Sequence, residues 1–307
     1  MNPQPFLDII AAPFTAFHAN GSLNLSVIPD QARLLIDSGV VGAFVCGTTG
    51  EGLSLSTDER KIVAEAWMKI AGDSLRIIVH SGHASAADAK ALTAHASQIG
   101  AHAFAVTAPF YFRPATIKDL IVYLSDVASA APELPFYYYD IPSTTGVMFP
   151  TAEVLRRAAD AIPNLAGVKF SNPDLLSLQE CVQLDNNRFR VMFGVDEYLL
   201  AAVSLGVTGA VGSTYNYAAP VYHRMMQAYQ RGDLELARNE QFTSAQLVRA
   251  LIDFGGIRAG KAIMKMIGID CGPVRTPLRP MSIEEERALY DRIKHLPVFV
   301  RPIRKPA

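Results

Sequence analysis

Cysteine is scarce in this sequence: three residues, Cys46, Cys181 and Cys271, are scattered over 307 positions. An odd number of cysteines without a CxxC pair does not suit a disulfide framework and is typical of a reducing compartment. Long apolar runs are also missing, and residues 1–14 carry no Lys or Arg ahead of their short apolar stretch. The sequence therefore predicts no signal peptide and no membrane span, and we expect a cytoplasmic protein.

An excess of charge of one sign is absent as well. Lys and Arg number 28, Asp and Glu number 29, and the formal net charge is -1. A nucleic-acid-binding protein usually carries a basic field, so we expect no nucleic-acid partner. Half of the residues are hydrophobic and only 19% are charged, which excludes a disordered chain. These proportions indicate a globular protein with a large core, and we expect its partner to be a small molecule.

Motifs for common cofactors are not present. The chain contains neither GxGxxG nor GxxxxGK[ST], the glycine-rich patterns that bind dinucleotides and nucleoside triphosphates. Of the seven histidines only His80 and His83 are close in sequence, and no obvious carboxylate completes a ligand set with them. We therefore expect neither a metal site nor a bound cofactor.

What the chain does contain is a regular alternation of short apolar runs and amphipathic stretches. Eight apolar runs begin about 29 residues apart, which is close to the length of one strand–helix unit; they cover residues 6–12, 41–46, 75–80, 103–106, 135–139, 165–170, 189–193 and 208–212. Strands that alternate with helices form a parallel sheet, and eight units favour a closed barrel over an open sheet. The predicted fold class is α/β, a (β/α)8 TIM barrel.

The strand signal stops after Gly212, and the remaining pattern is helical. Apolar periodicity covers 221–230, 234–254, 261–267 and 283–295, and a group of glycines and prolines at 271–280 separates the last two. The first of these stretches completes the barrel, and the others form a C-terminal helical extension. We therefore predict a catalytic barrel domain at 1–230 and a helical domain at 231–307.

Two polar residues end neighbouring strands five and six. Lys169 closes a strand that is otherwise apolar, and Tyr139 closes the strand before it. Active sites of such barrels lie at the carboxyl ends of the strands, and adjacent strands are about 4.8 Å apart. A buried lysine favours the neutral amine, which is a nucleophile for Schiff-base formation, and a tyrosine can carry a proton. The alternatives are a snorkelling or ion-paired lysine and a tyrosine of the ordinary barrel core.

The turn after strand two, GTTGE at 47–51, offers hydroxyls and backbone amides together. Thr48 and Thr49 between two glycines can direct these donors at one anion, such as a carboxylate, or can simply form local turn hydrogen bonds.

Further polar groups follow strands six to eight; they are Ser171, Gly194, Asp196, Glu197, Gly212 and Ser213. The two carboxylates can accept hydrogen bonds from a polyol, or Asp196 can cap the next helix.

Three motifs together carry a family resemblance over nearly the whole chain. GTTGE at 47–51, YDIP at 139–142 and GVK at 167–169 resemble the pyruvate-dependent class I aldolases, the family that includes N-acetylneuraminate lyase and dihydrodipicolinate synthase. The resemblance implies catalysis by Lys169 as a cofactor-free imine, with Tyr139 as the catalytic tyrosine, and a homotetramer. It further implies that Thr48 and Thr49 bind the pyruvoyl carboxylate. Tyr111 matches a tyrosine that joins a proton relay across a subunit contact.

Other positions distinguish the branches of this family. Thr144 stands where dihydrodipicolinate synthases usually carry an Arg that holds a second carboxylate, and Asp140 replaces the usual Asn. FGVDE at 193–197 and GAVGSTYN at 209–216 resemble the sialic acid lyases, and KFSNPDLL at 169–176 resembles the animal-type lyases among them. This implies that Asp196, Glu197, Gly212 and Ser213 bind the sugar chain, and we expect Ser171 and Gly194 beside them.

The implied reaction is the reversible cleavage of N-acetylneuraminate to N-acetylmannosamine and pyruvate. Two alternatives remain. One is another 2-keto acid aldolase or dehydratase that uses the same lysine. The other is a non-catalytic barrel that binds sugar acids, against which the pair of Lys169 and Tyr139 weighs, because binding alone needs neither.

Overall fold

The fold is a closed barrel of eight parallel strands, seen in a computed structural model that describes residues 7–307. The strands pair in chain order, and β8 returns to β1. They are β1 (Asp8–Ala11), β2 (Gly42–Val45), β3 (Arg76–His80), β4 (Ala103–Thr107), β5 (Phe136–Asp140), β6 (Leu165–Phe170), β7 (Arg190–Phe193) and β8 (Gly209–Gly212). Every predicted apolar run coincides with one of these strands, although β4 and β5 extend one residue beyond their runs, so the predicted barrel is confirmed. The first run begins at Phe6, which lies outside the described residues.

Helices follow the strands and then continue beyond the barrel. They are α1 (Ile28–Asp37), α2 (Thr57–Ala71), α3 (Ala86–Gln98), α4 (Ile117–Ala128), α5 (Pro142–Thr145), α6 (Thr151–Ala161), α7 (Leu175–Gln183), α8 (Leu199–Ser204), α9 (Tyr215–Gln230), α10 (Leu234–Asp253), α11 (Ile257–Met266) and α12 (Ile283–Ile293). None of the helices within residues 7–307 is long and apolar enough to cross a membrane.

Two helices begin earlier than the sequence pattern predicted. α9 starts at Tyr215 because its first turn continues across a kink at Ala218, next to Pro220, whose ring removes a backbone donor. α11 starts at Ile257, four residues before the predicted stretch, because Gly260 interrupts the apolar pattern without breaking the helix. The predicted domain boundary at residue 230 coincides with the end of α9. The division of the chain into two separate domains at this point stays a prediction.

Helix boundaries elsewhere follow local signals that the sequence contains. Ser56 caps α2, and Glu59 closes the reciprocal capping box, as its spacing indicates. Gly39, just after α1, takes a positive φ of 74° that favours glycine. These caps define where the chain leaves each helix and returns to the barrel.

Alternation along the strands divides the core into two parts. One set of side chains fills the barrel, and it includes Phe44, Ile78, Tyr139, Met192 and Val211. The other set packs the outer face of the strands against the helices. Tyr138 belongs to this outer layer, whereas Tyr137 and Tyr139 face inward, as predicted from the period of two. The inward face of β5 therefore presents Tyr139 at the carboxyl end of the barrel.

The amino-terminal end of the barrel is closed by charges. Asp8 begins β1 and accepts ion pairs from Arg190 at the start of β7 and from Arg76 at the start of β3, the latter at 2.7 Å. Because this end is occupied by paired charges, the free opening of the barrel is at the other end.

The helical extension is tied to the barrel by a buried ion pair. Lys261 in α11 places Nζ 2.7 Å from Oε1 of Glu51, and both side chains are almost completely buried, at 3% and 1% exposure. The second carboxylate oxygen of Glu51 accepts the backbone N–H of Arg275 at 2.8 Å. Glu51 thus fixes the turn after β2 to the extension.

We predict that this pair contributes strongly to stability. Lys261→Ala leaves the Glu51 carboxylate buried without its cation, which costs about 3–5 kcal/mol. The free energy of unfolding of the unmodified protein and of the variant is measured by urea unfolding with linear extrapolation. Lys265→Ala is the matched control, because Lys265 lies in the same helix and pairs with Glu286 while 47% exposed; it should cost at most about 1 kcal/mol. Equal losses in the two variants would contradict the prediction.

Candidate active site

A cavity of about 590 Å³ opens at the carboxyl end of the barrel. This volume is in the range that accommodates small-molecule ligands. Ten of the eleven predicted site residues line it: Thr48, Thr49, Tyr139, Lys169, Ser171, Gly194, Asp196, Glu197, Gly212 and Ser213. Residues from the ends of five different strands therefore meet around one space, and the roles predicted for them concern this cavity.

Lys169 lies at the bottom of the cavity on β6. Its side chain is 4% exposed, and Nζ donates a hydrogen bond of 2.8 Å to Oγ of Ser171. The amine also lies 3.8 Å from the ring centre of Tyr139 and 5.2 Å from that of Phe44. Within the described part of the chain no carboxylate lies within 4 Å of this amine. Lys169 is therefore not ion-paired, and that alternative is wrong.

Tyr139 stands directly beside Lys169 because the two are register partners in the β5–β6 pairing. Its hydroxyl is 3.2 Å from Oγ1 of Thr48, so the phenol connects the lysine to the turn after β2. Phe44 and His80 pack edge-on against its ring, with centroids at 5.4 and 5.6 Å. The ring is thus held in one orientation, with its hydroxyl directed at the cavity wall.

The turn that carries Thr48 and Thr49 has an unusual backbone. Cys46 and Glu51 both adopt positive φ, at 59° and 53°, and Oγ1 of Thr15 donates to the Gly50 carbonyl at 2.6 Å. At Gly52 a Cβ would lie 1.8 Å from the Cys46 carbonyl oxygen, so only glycine fits this close approach. The turn is therefore rigidly placed, and both threonines line the cavity.

Two glycines keep space free around the charged groups. A Cβ at Gly194 would lie 2.1 Å from Oγ of Ser171 and 3.2 Å from the Lys169 amine. A Cβ at Gly212 would lie 1.8 Å from Oδ1 of Asp196. Any larger residue at either position would displace the lysine's partner or the carboxylate.

Asp196 joins the ends of β7 and β8. Its Oδ2 accepts the backbone N–H of Thr214 at 3.0 Å and the Thr214 hydroxyl at 2.6 Å, and no side-chain cap of the following helix is formed. The capping alternative is therefore wrong. Burial raises the pKa of Asp196, although the hydrogen bonds from Thr214 act in the opposite direction. Burial also raises the pKa of the half-buried Glu197.

His80 is a part of the site that the sequence did not indicate. It is buried behind Tyr139, its Nδ1 is 3.1 Å from the Cys46 carbonyl, and burial followed by the charge of Arg60 lowers its pKa well below the usual value. A neutral imidazole therefore supports the tyrosine ring. Among residues 7–307 no group of three or more metal-ligating side chains is found.

Helices of the extension form the outer wall of the cavity. Val248, Leu251 and Ile252 of α10 and Ile257 and Gly260 of α11 line it. No sequence signal pointed to them, because their approach to the barrel depends on how the extension folds back across its mouth.

Two predicted positions lie away from the cavity in the single chain. Tyr111 is 77% exposed in the connection between β4 and α4, where its ring packs edge-on against Phe112. Thr144 lies exposed in the short helix α5. Arg113 packs against Gly146, just after that helix, but it does not line the cavity.

Asp140 connects the tyrosine strand to the segment that follows Lys169. Its Oδ2 accepts the Thr151 hydroxyl at 2.9 Å and the side-chain amide of Asn172 at 3.3 Å, and its backbone carbonyl accepts the N–H of Ser171 at 2.8 Å. Burial raises the pKa of Asp140 to about 6, although both side-chain bonds oppose the shift.

Comparison with known proteins places this geometry in context. The sequence model of the dihydrodipicolinate synthetase family matches residues 5–296 of this chain. The human N-acetylneuraminate lyase is 44% identical over 295 residues, which cover 94% of this chain and 92% of that protein.

Two solved structures extend the comparison. That of the Proteus mirabilis N-acetylneuraminate lyase superposes with a TM-score of 0.93 at 39% identity, over 95% of this chain and 99% of the other. A structure described as a catalytic lysine mutant of the Ruminococcus gnavus sialic acid aldolase gives a TM-score of 0.88 at 26% identity, over 95% of this chain and 97% of the other.

The fold, the site and these relatives define a barrel enzyme of the carbon–carbon lyase class. The chain belongs to the dihydrodipicolinate synthetase family.

We predict that Asp140 makes stability depend on pH. From about pH 4 to about pH 6 the folded chain retains a proton on Asp140 that the unfolded chain has lost, so stability falls as the pH rises through this window. The loss is about 3 kcal/mol for a shift of this size. Asp140→Asn keeps an acceptor for Thr151 and Asn172 but has no proton to lose. Denaturant unfolding gives the free energy of unfolding of the unmodified protein and of the Asn variant at each pH of this window. Plotted against pH, the two free energies should diverge, and parallel curves would contradict the prediction.

Proposed function

We propose that this protein is a Schiff-base aldolase that reversibly cleaves N-acetylneuraminate to N-acetylmannosamine and pyruvate. The names of the human and Proteus mirabilis relatives support the substrate, and the description of the Ruminococcus gnavus relative supports lysine chemistry. No cofactor is needed, because the covalent imine on the lysine supplies the electron sink.

The observation that carries the proposal is the environment of Lys169. Two lysines of residues 7–307 are buried, but Lys261 is neutralised by Glu51 and lies outside the cavity. Lys169 has only a neutral hydroxyl partner and two aromatic rings, and it opens into the cavity. An amine of this kind, held next to a tyrosine, is suited to attack a carbonyl carbon.

In the proposed mechanism Thr48 and Thr49 hold the carboxylate of the open-chain sugar acid. The Lys169 amine attacks the C2 ketone and water leaves, which forms the imine. Tyr139 accepts the proton of the C4 hydroxyl while the C3–C4 bond breaks. The electron pair of that bond moves to the imine and gives an enamine, and N-acetylmannosamine departs as the aldehyde. Protonation of the enamine and hydrolysis release pyruvate and the free amine. As the phenol accepts this proton it passes its own proton to Thr48, 3.2 Å away, and from there to the substrate carboxylate, which returns it to C3 when the enamine is protonated.

The sugar chain then extends along the wall that β7 and β8 provide. Asp196 and Glu197 accept hydrogen bonds from its hydroxyls, and Gly212 and Ser213 supply the facing surface. Ser171 holds the amine until the substrate arrives, and Gly194 leaves the space that the imine carbon occupies. Carboxylates on this wall disfavour a substrate that places a second carboxylate directly against the wall, because like charges repel.

The proposal includes a homotetramer in the cytoplasm. Tyr111 and Phe112 form an exposed aromatic pair, at 77% and 86% exposure, of the kind that subunit contacts cover. A partner subunit that covers them would bring Tyr111 into a proton relay with Thr48. The three cysteines are free and buried, as suits a reducing compartment.

We predict that pyruvate and borohydride label one lysine. Reduction should trap a single three-carbon adduct on Lys169, because its amine forms the imine, and peptide mass spectrometry locates it. Lys169→Ala should abolish both the adduct and turnover. The peptide that contains Lys261 is the internal control and should stay unmodified. An adduct at Lys261 would move the active site and would falsify the assignment.

We predict that Tyr139→Phe separates imine formation from bond cleavage. The variant keeps the ring that packs against Phe44 and His80 but lacks the phenol, so borohydride trapping with pyruvate should persist. The rate of sugar acid cleavage should fall about 10²–10⁴-fold, the usual loss for a positioned acid–base group. Near-native cleavage by the Phe variant would show that the proton travels elsewhere.

The second candidate is another 2-keto acid aldolase or dehydratase on the same lysine. A panel of sialic acids, 2-keto-3-deoxy sugar acids and aspartate semialdehyde distinguishes the candidates by pyruvate release or consumption. The exposed Thr144 supplies no cation for a second carboxylate, so aspartate semialdehyde should condense poorly. Efficient condensation by the unmodified chain would favour the alternative.

A further inference from the structure

A second cavity adjoins the candidate active site and has no role in the mechanism described above. It has a volume of about 470 Å³ and lies between the end of β7, α10 and the end of α12. Four residues line both cavities: Glu197, Tyr198, Val248 and Ile252. The two cavities therefore lie side by side, and Glu197 and Tyr198 stand at the boundary between them.

The chemistry of the second cavity differs from that of the first. Three basic side chains line it: Arg249 of α10, Arg292 of α12 and His295 just beyond it. All three are exposed, and within residues 7–307 none of them has a carboxylate partner within 4 Å. Arginines of this protein elsewhere are commonly paired, as Arg224 is with Glu240. Two unpaired guanidinium groups in one concave space are therefore free to bind an anion.

Glu197 is the acidic group on the boundary, and it does not cancel these charges. Burial and the neighbouring Asp196 raise its pKa, and neither arginine is among the groups that act on it. Its carboxyl belongs to the hydroxyl-binding wall of the first cavity. The second cavity thus keeps a positive balance, and Phe242, Tyr198 and Leu296 supply apolar surface beside the basic groups.

We infer that this second cavity is a subsite for an anionic substituent, a phosphate ester, at the distal end of the sugar acid. The inference rests on the proposed function, because the imine at Lys169 fixes the C2 end and directs the far end of the chain toward the shared wall. Guanidinium groups bind phosphate oxygens in pairs of parallel hydrogen bonds, and an imidazole donates another. The subsite would admit a sugar acid phosphorylated on its terminal carbon in preference to the unsubstituted compound.

The test compares binding without turnover. The Lys169→Ala chain is titrated by calorimetry with N-acetylneuraminate, with its 9-phosphate ester and with an analogue that carries a terminal carboxylate. We expect the phosphate ester to bind about tenfold more tightly than the unsubstituted acid, since the site is exposed and charge-assisted bonds are partly screened. Added salt should reduce this advantage. A terminal carboxylate that binds as tightly as the phosphate ester would overturn the assignment to phosphate.

Variants of the cavity make the test specific. Arg249→Ala combined with Arg292→Ala should remove the advantage of the phosphate ester and leave binding of the unsubstituted acid unchanged, whereas the corresponding Lys replacements should retain part of it. Arg287→Ala is the control, because Arg287 is exposed on α12, as Arg292 is, but does not line the cavity. Equal binding of the two sugar acids by the Lys169→Ala chain with both arginines intact, or an advantage that survives the double Ala variant, would overturn the inference.

Failure of the proposed function has a different signature. It would appear, in the unmodified chain, as missing borohydride labelling at Lys169 and as no cleavage of the unsubstituted sugar acid. A chain that forms the imine and cleaves the unsubstituted acid, yet does not distinguish the phosphate ester, would keep the proposed function and lose the subsite.

Discussion

The pairing of β5 with β6 is the constraint on which the site depends. Parallel register places Tyr139 beside Lys169, and the closed barrel turns both side chains inward, where both are buried. The lysine then rests on the tyrosine ring with Ser171 as its hydrogen-bond partner. A shift of one residue in this register would turn one of the two side chains to the outer layer.

The rest of the structure holds this pair at the base of an open cavity. The charges of Asp8, Arg76 and Arg190 close the opposite end of the barrel, so ligands enter from the side of the lysine. Glu51 and Lys261 attach the turn of Thr48 to the helical extension, whose helices form the outer wall. The position of the turn that lines the candidate active site and the stability of the fold therefore depend on the same ion pair.

Around the lysine the cavity changes character from the inside to the outside. At its base are hydroxyls and aromatic rings, on the wall of β7 and β8 are the carboxylates of Asp196 and Glu197, and beyond them are the unpaired arginines of α10 and α12. This order matches a ligand that presents a ketone and carboxylate first and a polyol next. The proposed specificity is thus distributed along the direction in which the ligand leaves the barrel.

The sequence by itself determined the barrel, since apolar runs of strand length recur with helices between them, and it pointed to Lys169 and Tyr139, since polar residues rarely end buried strands. It also indicated most residues of the mouth, because the carboxyl ends of parallel strands converge. Only the tertiary structure decided that Ser171 binds the amine, that Asp196 bridges to Thr214, and that Lys261 is occupied by Glu51. Those contacts depend on side-chain direction and on the packing of distant segments, which local sequence patterns do not specify.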